Sequence, residues 1–511
     1  MNPGVLFVNL PSLFTFVKKI VPLVLYLNEQ LIRITQSVAG IVPELFLAVL
    51  LLIYLVVELV VRQYENKERM GKTLSLISLI GALLTLGFVL SQWGEIPAFR
   101  FQPLLFLDNQ AVFFKLLVIG AWLFTLLHIR LLKYTFPAEL NALLIAIVLG
   151  LSLLCMATHW LVVYLALELV SLSSYLLVAL SPSRKAAEGS LKYILFGAIS
   201  SAAMLYGISL LYGLTGTLDF TNPAMQLGIA GNSLLVVNVA LFMTLGGLLF
   251  KLSLVPFHVW TPDVYEATPT PLVSFLSVAP KAAVLLVLMR AVHALPTDLL
   301  PLLGGISLIS ITVGNVAALW QQNMRRLLAY SSIAQAGYLL VGIVAFSRLG
   351  FESSTFYVVA YLLLNVAAFL LVDLLHPRSS TTISGYAGKG KKYIGVSVSL
   401  TIVMVALAGL PPTVGFTAKW LVFSALWDSY QLHGDSWRIW LIVGGIMNAA
   451  VSLAYYLKLP YVLFFKPSLS DSQTLTVSTG SKLLVGLILT AILLLFFKPE
   501  FIMVWIRNLA I

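Results

Sequence analysis

The chain is expected to be an all-α polytopic membrane protein of about 14 transmembrane helices, with two inverted five-helix repeats and two broken helices. Composition is the first reason. Of 511 residues, 60% are apolar and only 10% charged, and the mean hydropathy is +0.99. A soluble domain carries roughly 25% charged residues to solvate its surface, so lipid must be the solvent here. The second reason is that apolar runs of spanning length follow one another with only loop-sized polar segments between them. The third is that most Lys and Arg residues flank those runs, on alternate sides.

A spanning helix needs about 20 mainly apolar residues. Segments 1–14 cover 41–61, 74–92, 111–132, 137–156, 159–180, 189–213, 234–256, 269–292, 300–320, 326–346, 354–375, 393–425, 437–463 and 481–505. Residues 1–36 are apolar but interrupted by Pro11, Pro22 and Lys18–Lys19, and are expected to form an N-terminal extension. The remaining organisation reads as 37–136 (segments 1–3), 137–292 (first repeat), 293–465 (second repeat) and 466–511 (C-terminal helix). Loops after odd-numbered segments hold Arg62, Lys67, Arg69, Lys72, Lys133, Arg184, Lys185, Arg325, Arg378, Lys389, Lys391, Lys392 and Lys466. The positive-inside rule puts those loops in the cytoplasm, or its equivalent, and both ends of the spanning region outside. One loop departs from this pattern. Residues 257–268 hold Asp263 and Glu266 and no Lys or Arg, and their Pro and aromatic content suggests a folded cap.

Lys and Arg exceed Asp and Glu by eleven, but the thin spread of that charge along apolar runs is topological and no nucleic-acid partner is expected. The single cysteine, Cys155, excludes disulfides, Cys-ligated iron–sulfur clusters and Cys-based zinc sites. His128, His159, His258, His293, His376 and His433 lie mostly at segment ends or in loops, so no haem-binding pair is apparent. No cofactor or metal is expected in this chain.

The informative residues are ionisable groups deep in apolar runs, where a charge costs several kcal/mol unless paired, hydrated or functional. Glu168 lies in segment 5, Lys192 near the start of segment 6, Lys251 in segment 7, Lys281 in segment 8 and Lys419 in segment 12. Each alone is compatible with a snorkelling or structural charge. One carboxylate among several buried ammonium groups is the composition of a proton relay. Ser171 and Tyr175 share a helical face with Glu168, and Gly246 and Gly247 leave room near Lys251.

Two segments are marked for breakage. Pro256 lacks an N–H and clashes with the carbonyl of Leu252; Pro411 and Pro412 do the same to Leu407 and Ala408. Freed carbonyls in a membrane are tolerated only where protein or water satisfies them. Segments 7 and 12 are five apart and run oppositely, as two inverted units, segments 4–8 and 9–13, would require. Lys251 and Lys419 then fall on the same membrane side of their breaks.

The stretches LALELVSLSSYLLVAL, LKYILFGAISSAAMLYG, FKLSLVPFHVWTPDVYEATPTPLVSFLSVAPK, NMRRLLAYSSIAQAGYLL and LAGLPPTVGFTAKW resemble, in this order, the antiporter-like membrane subunits of respiratory complex I (NADH:quinone oxidoreductase). The likeness runs from about residue 40 to the end. PDVYEATPTP, PELFL and Lys419 resemble the subunit N branch of that family. The resemblance implies Glu168 and Lys251 as a coupled pair, Lys281 as the central relay residue, Lys419 as the distal one and Lys192 as an accessory member. It implies a translocase subunit that moves protons while NADH, flavin, iron–sulfur clusters and quinone are handled in partner subunits. Expected neighbours are antiporter-like subunit M, small K-like subunits and the lipid of a bacterial inner membrane. The alternative is a subunit of a multi-subunit cation/proton antiporter or a membrane-bound hydrogenase, which share the fold.

Overall fold

A computed structural model of the chain describes residues 26, 28–61, 67–375, 382–467 and 477–509. Most of the expected N-terminal extension, together with Arg62 and Arg378, lies outside the described residues. The helices that form the crossings or continue them are, in order, α1 (Val42–Val61), α2 (Lys67–Ser91), α3 (Asn109–Leu131), α4 (Glu139–Met156), α5 (Trp160–Ala179) and α6 (Arg184–Thr215). There follow α7a (Leu234–Leu252), α7b (Thr261–Ala267), α8 (Thr270–Ala291), α9 (Leu300–Leu319), α10 (Met324–Val344) and α11 (Arg348–Leu375). The last are α12a (Ile394–Ala408), α12b (Val414–His433), α13 (Ser436–Phe465), α14 (Thr479–Phe497) and α15 (Glu500–Arg507).

Among the described residues, 13 helices are long and apolar enough to cross a membrane, and α12a is a shorter apolar helix. With α12a and α12b counted as one interrupted crossing, the expected fourteen are present. Local chemistry sets several starts: Asp108, Ser183 and Asn323 cap α3, α6 and α10 by accepting from backbone N–H groups of the first turn, which would otherwise be unsatisfied.

Three differences from the sequence reading have physical causes. The architecture is all-α as expected, but the loop after α2 holds a short hairpin that the sequence reading did not place: Ala98–Arg100 (β1) and Leu105–Leu107 (β2) pair antiparallel, closed by the Phe99–Phe106 ring contact at 4.9 Å. The last segment is two helices, because Pro499 starts α15 as α14 ends. Residues 257–268 do not form a separate cap. Their second half, α7b, resumes the interrupted seventh helix and packs against α6 and α10.

Three helices make the interior. The most apolar window of α8 is wholly buried, and those of α10 and α11 are 94% and 89% buried. By contrast α1, α2, α13 and α14 present exposed leucines and isoleucines such as Leu52, Leu83, Ile446 and Leu483, the surface that lipid covers. α9 and α10 approach closely enough that only glycine fits. A Cβ on Gly314 would stand 2.6 Å from Ala334 N, and one on Gly337 would stand 2.8 Å from Ser307 O. Small residues of this kind drive helix packing where no hydrophobic force acts between helices. Gly314→Ala and Gly337→Ala are therefore expected to destabilise the purified chain by about 1–3 kcal/mol, as overpacking does. Gly305→Ala, with nothing within 4 Å of the added carbon, should leave its melting temperature unchanged.

Candidate functional site

Lys251 occupies the last turn of α7a, which stops because Ser253 turns into the left-handed region (φ +63). Its ammonium is 3% exposed and donates to Ser171 Oγ at 2.9 Å, Tyr193 OH at 3.3 Å and Ser174 Oγ at 3.5 Å. It also stands over the rings of Tyr193 and Tyr175, at 5.4 and 5.8 Å. The expected partner, Glu168, is one helical turn before Ser171 on α5, and its Oε1 is buried without a hydrogen-bond partner. The two are neighbours, with the Lys251 ammonium turned to hydroxyls rather than to the carboxylate. Beyond Lys251, the break exposes a run of buried polar atoms without protein partners: Ser253 Oγ, His258 Nδ1, Trp260 Nε1, Thr261 Oγ1 and, on α8, Ser274 Oγ.

Lys281, on α8, is 1% exposed and donates to the Ser332 carbonyl and hydroxyl at 2.7 and 2.6 Å. Ser332 Oγ is also 2.7 Å from Tyr361 OH and 3.3 Å from Tyr265 OH, and the Tyr361 ring lies 5.7 Å from the ammonium. Pro280 precedes Lys281 without ending the helix.

Lys419 answers the second break. The carbonyls freed by Pro411 and Pro412 accept from it, Ala408 O at 2.7 Å and Leu407 O at 3.4 Å, and the Tyr338 ring lies 4.7 Å away. Gly409 adopts φ +88, and a side chain there would meet the Lys419 methylenes at 2.7 Å. Gln335 links this break to the interior. It donates to Leu407 O at 3.1 Å and Tyr456 OH at 3.3 Å, and accepts from Tyr357 OH at 2.5 Å. A cavity of about 10 Å³, lined by Gln335, Tyr357, Tyr361, Leu407 and Lys419 among others, joins the surroundings of Lys281 to Lys419 and is about the size of one water.

Lys192 lies elsewhere. It pairs with Asp263 at 2.7 Å and Glu188 at 2.8 Å and is 39% exposed, while its neighbour Tyr193 faces Lys251. Asp263 also binds Arg326 at 2.5 Å, and Glu266 binds Lys185 at 2.7 Å and Arg326 at 3.1 Å. The two acids of the exceptional loop thus oppose basic residues of α6 and α10. Burial raises both carboxyls, but hydrogen bonds from Lys192 and Arg326 to Asp263, and from Lys185 and Arg326 to Glu266, outweigh it and hold both below their ordinary values.

Two buried charged clusters escaped the sequence reading. Lys115 on α3 pairs with Glu44 on α1 at 2.7 Å, both within 2% of full burial. Its signal was present, a lysine in FFKLLVIG, but it stands near the start of a segment. His128, Asp373 and Tyr134 meet across α3 and α11. Nothing in the sequence joins residues 245 positions apart. Among the described residues no group of three or more His, Cys, Asp or Glu is arranged to hold a metal ion.

Residues 157–446 match the model of the family described as NADH:quinone oxidoreductase/Mrp antiporter, TM. The chain belongs to that family. The NADH-quinone oxidoreductase subunit N of Chlorobium chlorochromatii is 36% identical over 489 residues, covering 91% of this chain and 93% of that protein. A chain in the structure of respiratory complex I from Thermus thermophilus with bound aureothin aligns with a TM-score of 0.75 and 31% identity, over 90% of this chain and 98% of that one. A chain of the Mrp complex from a Dietzia species aligns with a TM-score of 0.77 at 18% identity, over 92% and 96%. That last likeness is one of fold alone. The matched span contains the breaks in the seventh and twelfth helices and the five ionisable residues singled out from the sequence.

The carboxyl network at α7b carries a pH dependence of definite sign. Groups held below their ordinary values of 3.8 and 4.5 contribute stability above that range, and it is lost as pH falls through their lowered folded values. The melting temperature of the solubilised chain should drop on acidification below about pH 4. Asp263→Asn should cost about 1–3 kcal/mol at neutral pH, the worth of hydrogen bonds to a charged group, and flatten the acid limb of the profile.

Proposed function

We propose that this chain is a proton-translocating membrane-arm subunit of a NADH:quinone oxidoreductase, moving protons through its buried lysines while quinone is reduced elsewhere in the complex. The observation that carries the reading is the series of buried polar groups made by Lys251, the orphaned atoms of the α7 break, Lys281 with Ser332, and Gln335 with the small cavity beside Lys419. Buried polar atoms without partners cost about 1–3 kcal/mol each, a demand that water inside the bundle meets. The naming of the Chlorobium relative as subunit N, along nearly its whole length, favours this reading over an antiporter subunit.

In this reading Glu168 and Lys251 form the coupled unit. An opposite charge nearby favours the ionised form of both groups, and movement or hydration of either withdraws that preference and releases a proton towards Lys281. Lys281 passes it through the Ser332 and Tyr361 hydroxyls, and Lys419 receives it at the second break. Lys192, the accessory member, acts by holding α7b through Asp263, next to the turn that positions Lys251. Each charge moved across the membrane potential costs about 2.3 kcal/mol per 100 mV. One pKa unit is worth about 1.4 kcal/mol, so shifts of two or three units in the relay groups offset much of that cost.

Helices α4–α8 and α9–α13 serve as two inverted units, a division supported by the interruption of the seventh and twelfth helices, five apart. Membrane-arm neighbours related to subunits M and K fit the reading, with NADH, flavin, iron–sulfur clusters and quinone bound in other subunits and a bacterial inner membrane as the location. In the assembled complex, Lys251→Ala, Glu168→Ala and Lys281→Met are each expected to reduce protons pumped per NADH oxidised while leaving assembly intact. Normal pumping by the three variants in sealed membrane vesicles would remove the basis for the relay.

A further inference from the structure

His128 sits in the last turn of α3 and is wholly buried, as is Asp373, 2% exposed, in the last turn of α11. Both ends face the side of the basic loops. His128 Nε2 lies 3.1 Å from Asp373 Oδ2. Tyr134, half-buried in the loop after α3, donates to both Asp373 oxygens, at 2.8 and 2.7 Å. His128 Nδ1 is buried and has no hydrogen-bond partner. Among the described residues, Tyr386 and, at the start of α10, Arg325 also act on this cluster.

A path leads inward from it. The Tyr134 hydroxyl also meets Thr270 at the start of α8. Thr270, Ser274, Ser277 and Lys281 follow at spacings of four, three and four residues, so they share one face of α8. All four are buried to within 1%. Eleven residues of helix span about 16 Å, and over that distance the stripe is of hydroxyls in a helix otherwise almost entirely apolar. Ser274 Oγ has no protein partner.

We propose that His128, Asp373 and Tyr134 form a proton-loading station on the basic-loop face that supplies Lys281 along the hydroxyl stripe of α8. This rests on the relay reading above. An imidazole can take up and release a proton, and a buried carboxylate needs a counter-charge, so the pair offers a place for one proton at the end of α3. On transfer, a proton passed from His128 to Asp373 ends the bond that the carboxylate accepts from Tyr134; the Tyr134 hydroxyl then turns to Thr270, accepts the proton from Asp373 and gives its own to Thr270. The phenol is unchanged, and the His128–Asp373 pair returns to its deprotonated form for the next uptake at the loop 132–138. Water and the stripe hydroxyls carry the proton on to Lys281.

The test compares His128→Gln, Tyr134→Phe and Lys281→Met in the assembled complex in sealed membrane vesicles. Glutamine keeps a donor for Asp373 but cannot hold a proton, so it preserves a purely structural link between α3 and α11. His128→Gln is expected to slow proton pumping about a hundredfold, as loss of an acid–base group does, and to change its pH profile. Added imidazole on the basic-loop side should restore part of the rate. Tyr134→Phe, a milder change at the loop, should slow uptake in the same direction. If Lys281→Met stops pumping while His128→Gln and Tyr134→Phe pump with the unaltered rate and pH profile, the station is wrong and the relay stands. If Lys281→Met itself pumps normally, both fall.

Discussion

Three buried ammonium groups with no carboxylate in direct contact set the terms for the rest of this fold. An unpaired ion in a low-dielectric interior is costly, so each lysine must be solvated by groups that the bundle can supply without a countercharge. Lys251 uses hydroxyls of α5 and α6, Lys281 uses the carbonyl and hydroxyl of one serine, and Lys419 uses the backbone of the broken α12. The interruption of the twelfth helix follows from this need. A continuous helix keeps its carbonyls for itself, whereas an interrupted one has them to offer. The break at Leu407–Ala408 and the lysine beside it are therefore one construction, and Gly409 is required because the lysine stem lies where a side chain would be.

The opposite solution is used beside α7b. Lys185, Lys192 and Arg326 meet Asp263 and Glu266 in close ion pairs, several of them partly exposed. Those charges are neutralised in place and fasten the short helix to α6 and α10. The same residue type thus does different work in adjacent residues: Lys192 is spent on an ion pair, while Tyr193 beside it turns inward to Lys251. The acidic loop that departs from the positive-inside pattern is explained by its partners and not by its orientation.

Much of this was legible in the sequence. Apolar run length places the crossings, and proline position marks Leu407 and Ala408 as the freed carbonyls that accept from Lys419. Charge inside apolar runs found Lys251, Lys281 and Lys419. What it missed is neutral or distant. Ser332, Gln335, Tyr357 and Tyr361 complete the polar series, but a serine or tyrosine in a membrane helix carries no signal that separates a relay from ordinary packing. The Glu168–Lys251 pair was placed on the right helices, yet residue spacing fixes a shared face and not the direction of a flexible side chain. Partnerships such as His128 with Asp373 depend on how α3 and α11 come together, which local pattern does not encode. The hairpin at Ala98–Leu107 and the turn at Pro499 were hidden for a simpler reason, being short interruptions beside long apolar runs.

Each of the three lysines also stands over a tyrosine ring, at 5.4, 5.7 and 4.7 Å for Lys251, Lys281 and Lys419. The attraction comes from the ring quadrupole, which neither gains nor loses a proton. It lowers the cost of charge at all three lysines without itself changing protonation. In the proposed relay, stations matched in this manner would form a level track, on which a proton would hop backwards as readily as forwards. Such a track would favour no destination of its own, so its vectorial character would have to be imposed at its ends, and the same wiring would carry current in reverse if the driving force were inverted.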